Sequence, residues 1–352
     1  MLRFVASLLL VFSIGSGAGQ DSPTRAGSLR QLRFSPDGRY ILAQSDSELA
    51  VLTVEPFTIL FRIPAQFATD AEFTPDSGSV VFASSVARVD SRKIALPKSA
   101  AQVEQWSIAG RARVQSAKLP PLTCGTGRLS PDGGLFACLD LNGTLHFFDV
   151  ASGQAIFEKK KFAPPSQVYG RLTPIDSESA SMEFSPDSNF LFVRSDDPEG
   201  PDIAWNVREK NLVNLTGPLK LLKHHPSVFI APDKIFVSGG ESALKPGVAN
   251  CKVIAFPSGQ LLSEPKLPFG IFARATDPGF VILRHFGSAI PGRSSPNRSA
   301  AVELSTQQAI VSETPALDVF GRLYAAEKEK GEVGLYEIGK GLKARCALRA
   351  QP

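Results

Sequence analysis

Short apolar runs recur along this chain, each opened by a turn. In order they are RYILAQS (39–45), SVVFASS (79–85), GLFACLD (134–140), NFLFVRS (189–195), KIFVSGG (234–240), GFVILRH (279–285) and RLYAAEK (322–328). All but the last are unbroken and rich in aromatic and β-branched residues, as expected of strands covered on both faces. The turns repeat as well. SPDG at Ser35–Gly38 returns as TPDS at Thr74–Ser77, SPDG at Ser130–Gly133 and SPDS at Ser185–Ser188. Weaker forms are APDK at Ala231–Lys234, TDPG at Thr276–Gly279 and DVFG at Asp318–Gly321. Proline presets φ for the first turn position, while Asp and Gly supply side-chain bonding and positive φ at the others. Ahead of four of these turns stands another short strand with a bulky apolar end: LRF at Phe34, AEF at Phe73, GRL at Leu129 and MEF at Phe184. Each turn with its flanks is a β-hairpin.

A third strand follows every hairpin: LAVLTVE (49–55), VEQWSIA (103–109), LHFFDVA (145–151), IAWNVRE (203–209), KVIAF (252–256), AAVELS (300–305) and GLYEIGK (334–340). Several run into a further turn and a fourth apolar stretch, most clearly at 152–162 and 258–269. Four short antiparallel strands repeating every roughly 40–55 residues predict an all-β fold, a seven-bladed β-propeller of four-stranded antiparallel blades. A two-sheet sandwich would not place the same turn before the same strand in every repeat.

At these residues the chain resembles WD-repeat and YVTN-type propellers. Leu129 to Gln154 (LSPDGGLFACLDLNGTLHFFDVASGQ) carries the resemblance best, with Phe148-Asp149 where a Trp-Asp pair would stand. Trp106-Ser107, Trp205-Asn206 and Tyr336-Glu337 occupy the same column in other repeats. No Gly-His pair precedes any repeat, so the chain reads as a looser relative without the buried His-containing network of WD blades. The resemblance implies architecture and says little of chemistry, because propellers host many unrelated functions.

The amino-terminal segment stands outside this pattern. Arg3, the apolar run Phe4 to Ile14 and the small residues Gly15 to Gly19 form a signal-peptide pattern over residues 1–19. The run is shorter than the ~20 apolar residues a spanning helix needs. Residues 20–352 are then expected to form one domain, exported to the periplasm or secreted, with no membrane span.

Composition narrows the partners. The 38 basic and 34 acidic residues nearly balance, at a net charge of +4, so no nucleic-acid footprint is expected. Cys124 and Cys138 flank the hairpin at Ser130–Gly133. In an oxidising compartment they could bridge, and small buried thiols are the alternative. No G-x-S-x-G elbow and no C-x-x-C occurs, and His224-His225 would point to opposite sides of a strand. No catalytic residue, metal ligand or cofactor is therefore expected.

The insertions are more informative. With strands a to d in each blade, a–b and c–d turns open on one face and b–c and d–a loops on the other. Every a–b turn is tight, whereas long b–c loops fall at 86–101, 196–202, 239–250 and 286–299. Insertions gathered on one face of a repeat protein mark a binding face. There the candidate residues are Arg88, Arg92, Lys93 and Lys98, Arg293 and Arg298, and, facing them, the acidic loop with Asp196 and Asp197. The expected function is that of a non-enzymatic scaffold whose loop face docks another protein or an envelope polymer. The alternative is a lactonase-like or dehydrogenase-type propeller enzyme acting at the central channel. That alternative requires ionisable groups at the mouth of several blades, and no recurring polar residue of this kind is expected there.

Overall fold

The computed structural model describes residues 29 to 348, apart from 66–67, 85–87, 91–92, 96–100, 121–123, 141–142, 163–181, 194–202, 224–226, 239–240, 243–244, 269–270, 286–297, 307–308, 312–315 and the single positions 30, 46, 69, 330 and 339. The expected signal peptide lies outside the described residues. Among those described, seven four-stranded antiparallel sheets follow one another, with one three-stranded and one two-stranded sheet besides. In the first sheet the strands a to d are Gln31–Phe34, Tyr40–Gln44, Glu48–Thr53 and Thr58–Pro64, hydrogen-bonded in that order. The a strands of the others are Asp70–Phe73, Cys124–Leu129, Met182–Phe184, Ser227–Ala231, Ile271–Arg274 and Ala316–Phe320. Neighbouring sheets meet through these a strands, and the first sheet meets the last, so the a strands surround a common axis. The chain is an all-β propeller of four-stranded antiparallel blades.

The unbroken apolar runs now have a reason. Successive residues of a strand face opposite sides, and here both sides are covered. Ile41 and Ala43 join a cluster with Ala325, Val333, Leu335 and Leu348 of the last sheet. Leu42, between them, joins Ala71, Phe73, Val80 and Phe82 of the second sheet. Clusters of the same kind fill the other boundaries, so the core is a set of inter-blade layers rather than one centre. The d strands lie outermost and are largely exposed, as in Ala155–Lys159 and Leu261–Ser263.

The repeated turn is a closed hydrogen-bond unit. In the first blade the Ser35 hydroxyl donates to Asp37 Oδ1 and accepts from the Tyr40 N–H. Gly38 N donates to the Ser35 carbonyl, and Asp37 Oδ1 also accepts from Arg39 N. Thr74 with Asp76, Ser130 with Asp132 and Ser185 with Asp187 repeat this. The fourth turn position has positive φ in all four: Gly38 +72°, Ser77 +56°, Gly133 +71° and Ser188 +62°. The seventh turn differs from expectation. Asp318 belongs to the strand Ala316–Phe320, and the chain reverses at Gly321 and Arg322. Phe320 already pairs with Leu323, so only two residues lie between the strands.

The aromatic-polar column also acquires a local cause. Its polar member ends strand c and caps the c–d turn. Asp149 Oδ1 accepts from Ser152 N (2.7 Å), Asn206 Oδ1 from Glu209 N (2.9 Å) and Ser107 Oγ from Gly110 N (3.1 Å). No His-containing network was expected inside the blades, yet in the third blade His146 Nε2 lies 3.2 Å from Asp140 Oδ2, with His146 stacked on Phe148. The second blade uses a carboxylate. Buried Glu104 accepts from Trp106 Nε1 (2.9 Å), Gln102 Nε2 (2.5 Å) and the Ser84 hydroxyl (3.4 Å).

Candidate functional site: a charged axis and an elaborated loop face

Two regions of the ring carry polar groups apart from those of the repeated turns. The first is the axis. The middle residues of LRF, AEF, GRL and MEF are Arg33, Glu72, Arg128 and Glu183, one from each of the first four a strands. Each is flanked by residues buried between blades, so the period-two alternation turns it toward the axis. A recurring polar position, not expected from the sequence, is therefore present. The signal was the middle position of those four tripeptides, where basic and acidic residues alternate.

These groups are partnered across blade boundaries. Arg33 Nη1 lies 3.1 Å from Glu72 Oε1, and Arg128 Nη1 lies 3.8 Å from Asp70 Oδ1. Arg128 Nε donates to the Met182 carbonyl at 3.0 Å. Three carboxylates each take a backbone N–H from the a strand of the next blade. Asp70 Oδ2 accepts from Leu129 N (2.8 Å), Glu183 Oε1 from Phe229 N (3.2 Å) and Asp318 Oδ2 from Phe34 N (2.7 Å). An inner edge strand has backbone groups without a strand partner, and such groups are costly when buried and unsatisfied. The carboxylates supply the missing acceptors.

The electrostatics follow from this geometry. Desolvation by itself lowers the pKa of the Arg33 guanidinium, but Glu72, Asp70, Asp318 and Glu183 together outweigh it and raise the value above the ordinary arginine one. That influence joins carboxylates of the second, fourth and seventh blades around one arginine of the first. Burial pushes the Asp318 carboxyl up, against the Thr276 hydroxyl, the Phe34 and Thr276 N–H groups and Arg33, which all favour its charged form.

The second region is the b–c and d–a face. In the second blade the b–c segment forms a two-stranded hairpin, Arg88–Asp90 with Lys93–Ala95. In the fifth it forms Glu241–Ser242 and Lys245–Asn250, and the latter pairs with Lys266–Pro268, the segment leading into the sixth blade. Val248 stands opposite Pro268, and Asn250 opposite Lys266. A b–c segment and a d–a segment thus join in one small sheet, which puts both on the same face.

The expected binding residues divide accordingly. Arg88 and Lys93 stand on the second-blade hairpin, with Arg88 opposite Ala95 and Lys93 opposite Asp90. Arg298 begins strand c of the sixth blade, opposite His285. Arg92, Lys98, Asp196, Asp197 and Arg293 lie outside the described residues, as does His224-His225. Cys124 and Cys138 form a disulfide with Cα atoms 5.5 Å apart, joining strands a and b of the third blade.

The solved structures place this geometry. It is similar to the crystal structure of the β-propeller domain of Cps50 (Swd1) from Myceliophteria thermophila. The TM-score is 0.57 at 10% sequence identity, and the match covers 90% of this chain and 99% of that one. That likeness shows a WD40-like propeller fold. No family model matches the chain, and no curated protein does. Among the described residues no helix is long and apolar enough to cross a membrane.

Proposed function

We propose that this chain is an exported, seven-bladed propeller that acts as a non-enzymatic scaffold, docking another protein or an envelope polymer on its b–c/d–a face. The observation that carries this reading is the pairing of Lys245–Asn250 with Lys266–Pro268. The chain adds strands there beyond the four of each blade, while the opposite face keeps the shortest turns. The basic residues Arg88 and Lys93 of the second-blade hairpin, with Arg92 of the same segment of sequence, supply orienting charge. At the axis the carboxylates are engaged in holding one blade to the next, which supports reading them as structural rather than as an enzyme's acid and base. Export rests on the pattern in residues 1–19, and mature protein from its native host is expected to begin next to Gly19 or Gln20.

The test is capture of envelope components by immobilised protein. The triple variant R88E/R92E/K93E is expected to lose capture, with the loss lying in association and greatest at low salt. A control triple, K159E/K160E/K161E, alters the exposed outer edge of the third blade and is expected to retain capture. Equal loss from both sets would leave only diffuse electrostatics, and no loss from the first set would remove the loop face as the docking surface.

A further inference from the structure

A ring of blades must hold its last member to its first, and covalent connectivity does not help at that boundary. Among the described residues each four-stranded sheet takes its strands from its own repeat, and the seventh borrows none from the amino-terminal end. Among the described residues no strand pairing crosses the seam, and side chains reach across it. We infer that Asp318 is the latch of this ring, one buried carboxylate clasping the sixth, seventh and first blades, so that the seam is where the propeller opens first.

An apolar layer fills the seam, and its buried polar contacts converge on one group. Asp318 is 2% exposed. Its Oδ2 accepts from Phe34 N of the first blade at 2.7 Å and from the Thr276 hydroxyl of the sixth at 2.5 Å. Its Oδ1 accepts from Thr276 N at 2.7 Å and Val319 N at 2.8 Å. The Thr276 hydroxyl also lies 3.4 Å from the Phe34 carbonyl, so three blades converge on one group. Among the described residues the other polar links across the seam are partly or fully exposed. Lys343 Nζ meets Glu55 Oε1 at 2.6 Å on exposed side chains, Arg62 donates to the Leu348 carbonyl, and Leu29 N donates to Glu327 Oε1 at 3.1 Å. Exposed ion pairs add little to stability, whereas buried bonds to a charged acceptor add more, and losing that acceptor strands several donors at once.

Asp70 provides the internal comparison. It makes the same kind of bond, to Leu129 N, but between second and third blades that the chain itself connects. Opening there is limited by the connection, and opening at the seam is not.

The test is native-state hydrogen exchange on the full chain with Asp318→Asn, Thr276→Val and Asp70→Asn. Asp318→Asn keeps the side-chain size but cannot accept the same set of donors. Amides of Gln31–Phe34 and Ala316–Phe320 are expected to exchange roughly tenfold faster or more, with those of Met182–Phe184 unchanged. Thr276→Val removes one donor and leaves the carboxylate, so a smaller rise confined to the same seam is expected. It carries the test if Asp318→Asn does not fold. Asp70→Asn is expected to leave the seam at its wild-type rate. Uniform acceleration around the ring, an unchanged seam in Thr276→Val, or an equal seam response to Asp70→Asn would each overturn the latch.

Discussion

On one face of the ring, the a–b turns consume their own polar groups. Serine or threonine bonds aspartate, aspartate bonds the backbone two residues on, and the fourth position reaches the preceding blade. Asp37 N donates to Ser77 Oγ and Asp132 N to Ser188 Oγ, while Gly38 abuts Phe320 and Gly133 faces Val81. On the other face, the b–c segments of the second and fifth blades form their own hairpin and small sheet, beyond the four strands of a blade. The difference teaches where this repeat tolerates change. A turn locked to its neighbour cannot lengthen without losing an inter-blade bond, whereas a segment leaving the far ends of strands b and c can. Insertions therefore accumulate on one face, and recognition is expected to follow them.

The largest expected effect breaks the tight-turn face at Gly38. A Cβ there would collide with the ring of Phe320, sitting 2.5 Å from Cδ1 and closer still to Cε1, at φ +72°. Left-handed strain of about 1–2 kcal/mol and overpacking of about 1–3 kcal/mol should add, so Gly38→Val is expected to destabilise by roughly 2–5 kcal/mol in denaturant unfolding. Gly133 sharpens the point. Its φ is +71°, but the nearest atom a Cβ would meet is on Val81 at 3.5 Å, so Gly133→Val should lose chiefly the strain component. Similar losses at the two sites would show that the neighbour, and hence the inter-blade contact, does not matter.

Next in size is the disulfide. Cys124 and Cys138 are 14 positions apart, and a loop of that length corresponds to about 3 kcal/mol of unfolded-state constraint. The double variant C124S/C138S should lose about that much in chemical unfolding. A loss near zero would assign the bridge no part in holding the third blade.

Acid should act on the turn face before the loop face. Partial burial tends to raise the Asp37 carboxyl, but bonds from Arg39 N, the Ser35 hydroxyl and the Arg39 guanidinium hold it below its ordinary value. Asp187 balances in the same way, with Ser185 and Asn189 as donors. Asp76 is lowered by the Thr74 hydroxyl and Gly78 N. A carboxyl depressed in the folded state contributes stability above its unfolded pKa of about 4, and that contribution is lost as pH falls through the lower folded value. The triple variant D37N/D76N/D187N should therefore show a flatter decline of melting midpoint than wild type below about pH 4. Parallel curves would mean that these turns do not report on acid unfolding.

The smallest expected effect on the fold belongs to the loop face. R88E/R92E/K93E should move the unfolding free energy by less than about 0.5 kcal/mol, because the proposed docking face is a surface, where substitutions away from special backbone sites rarely do more. A larger loss would make the second-blade hairpin part of the structural frame and blur the distinction between the two faces.

Much of the architecture was readable in the residues themselves. Turn chemistry at Ser35–Gly38 and its copies, with unbroken apolar runs behind them, located strands b and c of every sheet. The seventh turn was misplaced because Gly321 closes a two-residue reversal in which Asp318 takes no part. The axis was missed for a related reason. In LRF, AEF, GRL and MEF the bulky last residue gives the strong local signal, and the charge before it acquires meaning only when the strands are set side by side.

What the sequence by itself determined is whatever follows from neighbours along the chain: which segments extend, where φ turns positive, and which residue caps each turn. Tertiary structure alone decided the pairing of Arg33 with Glu72, the assignment of Ile41 to one boundary and Leu42 to the other, and the clasp of Asp318 on Phe34, 284 positions away. A local preference acts over a few residues, whereas a closed ring brings its two ends together only after every blade has taken its place. The group that satisfies a buried N–H at that seam therefore cannot be read from the residues beside it.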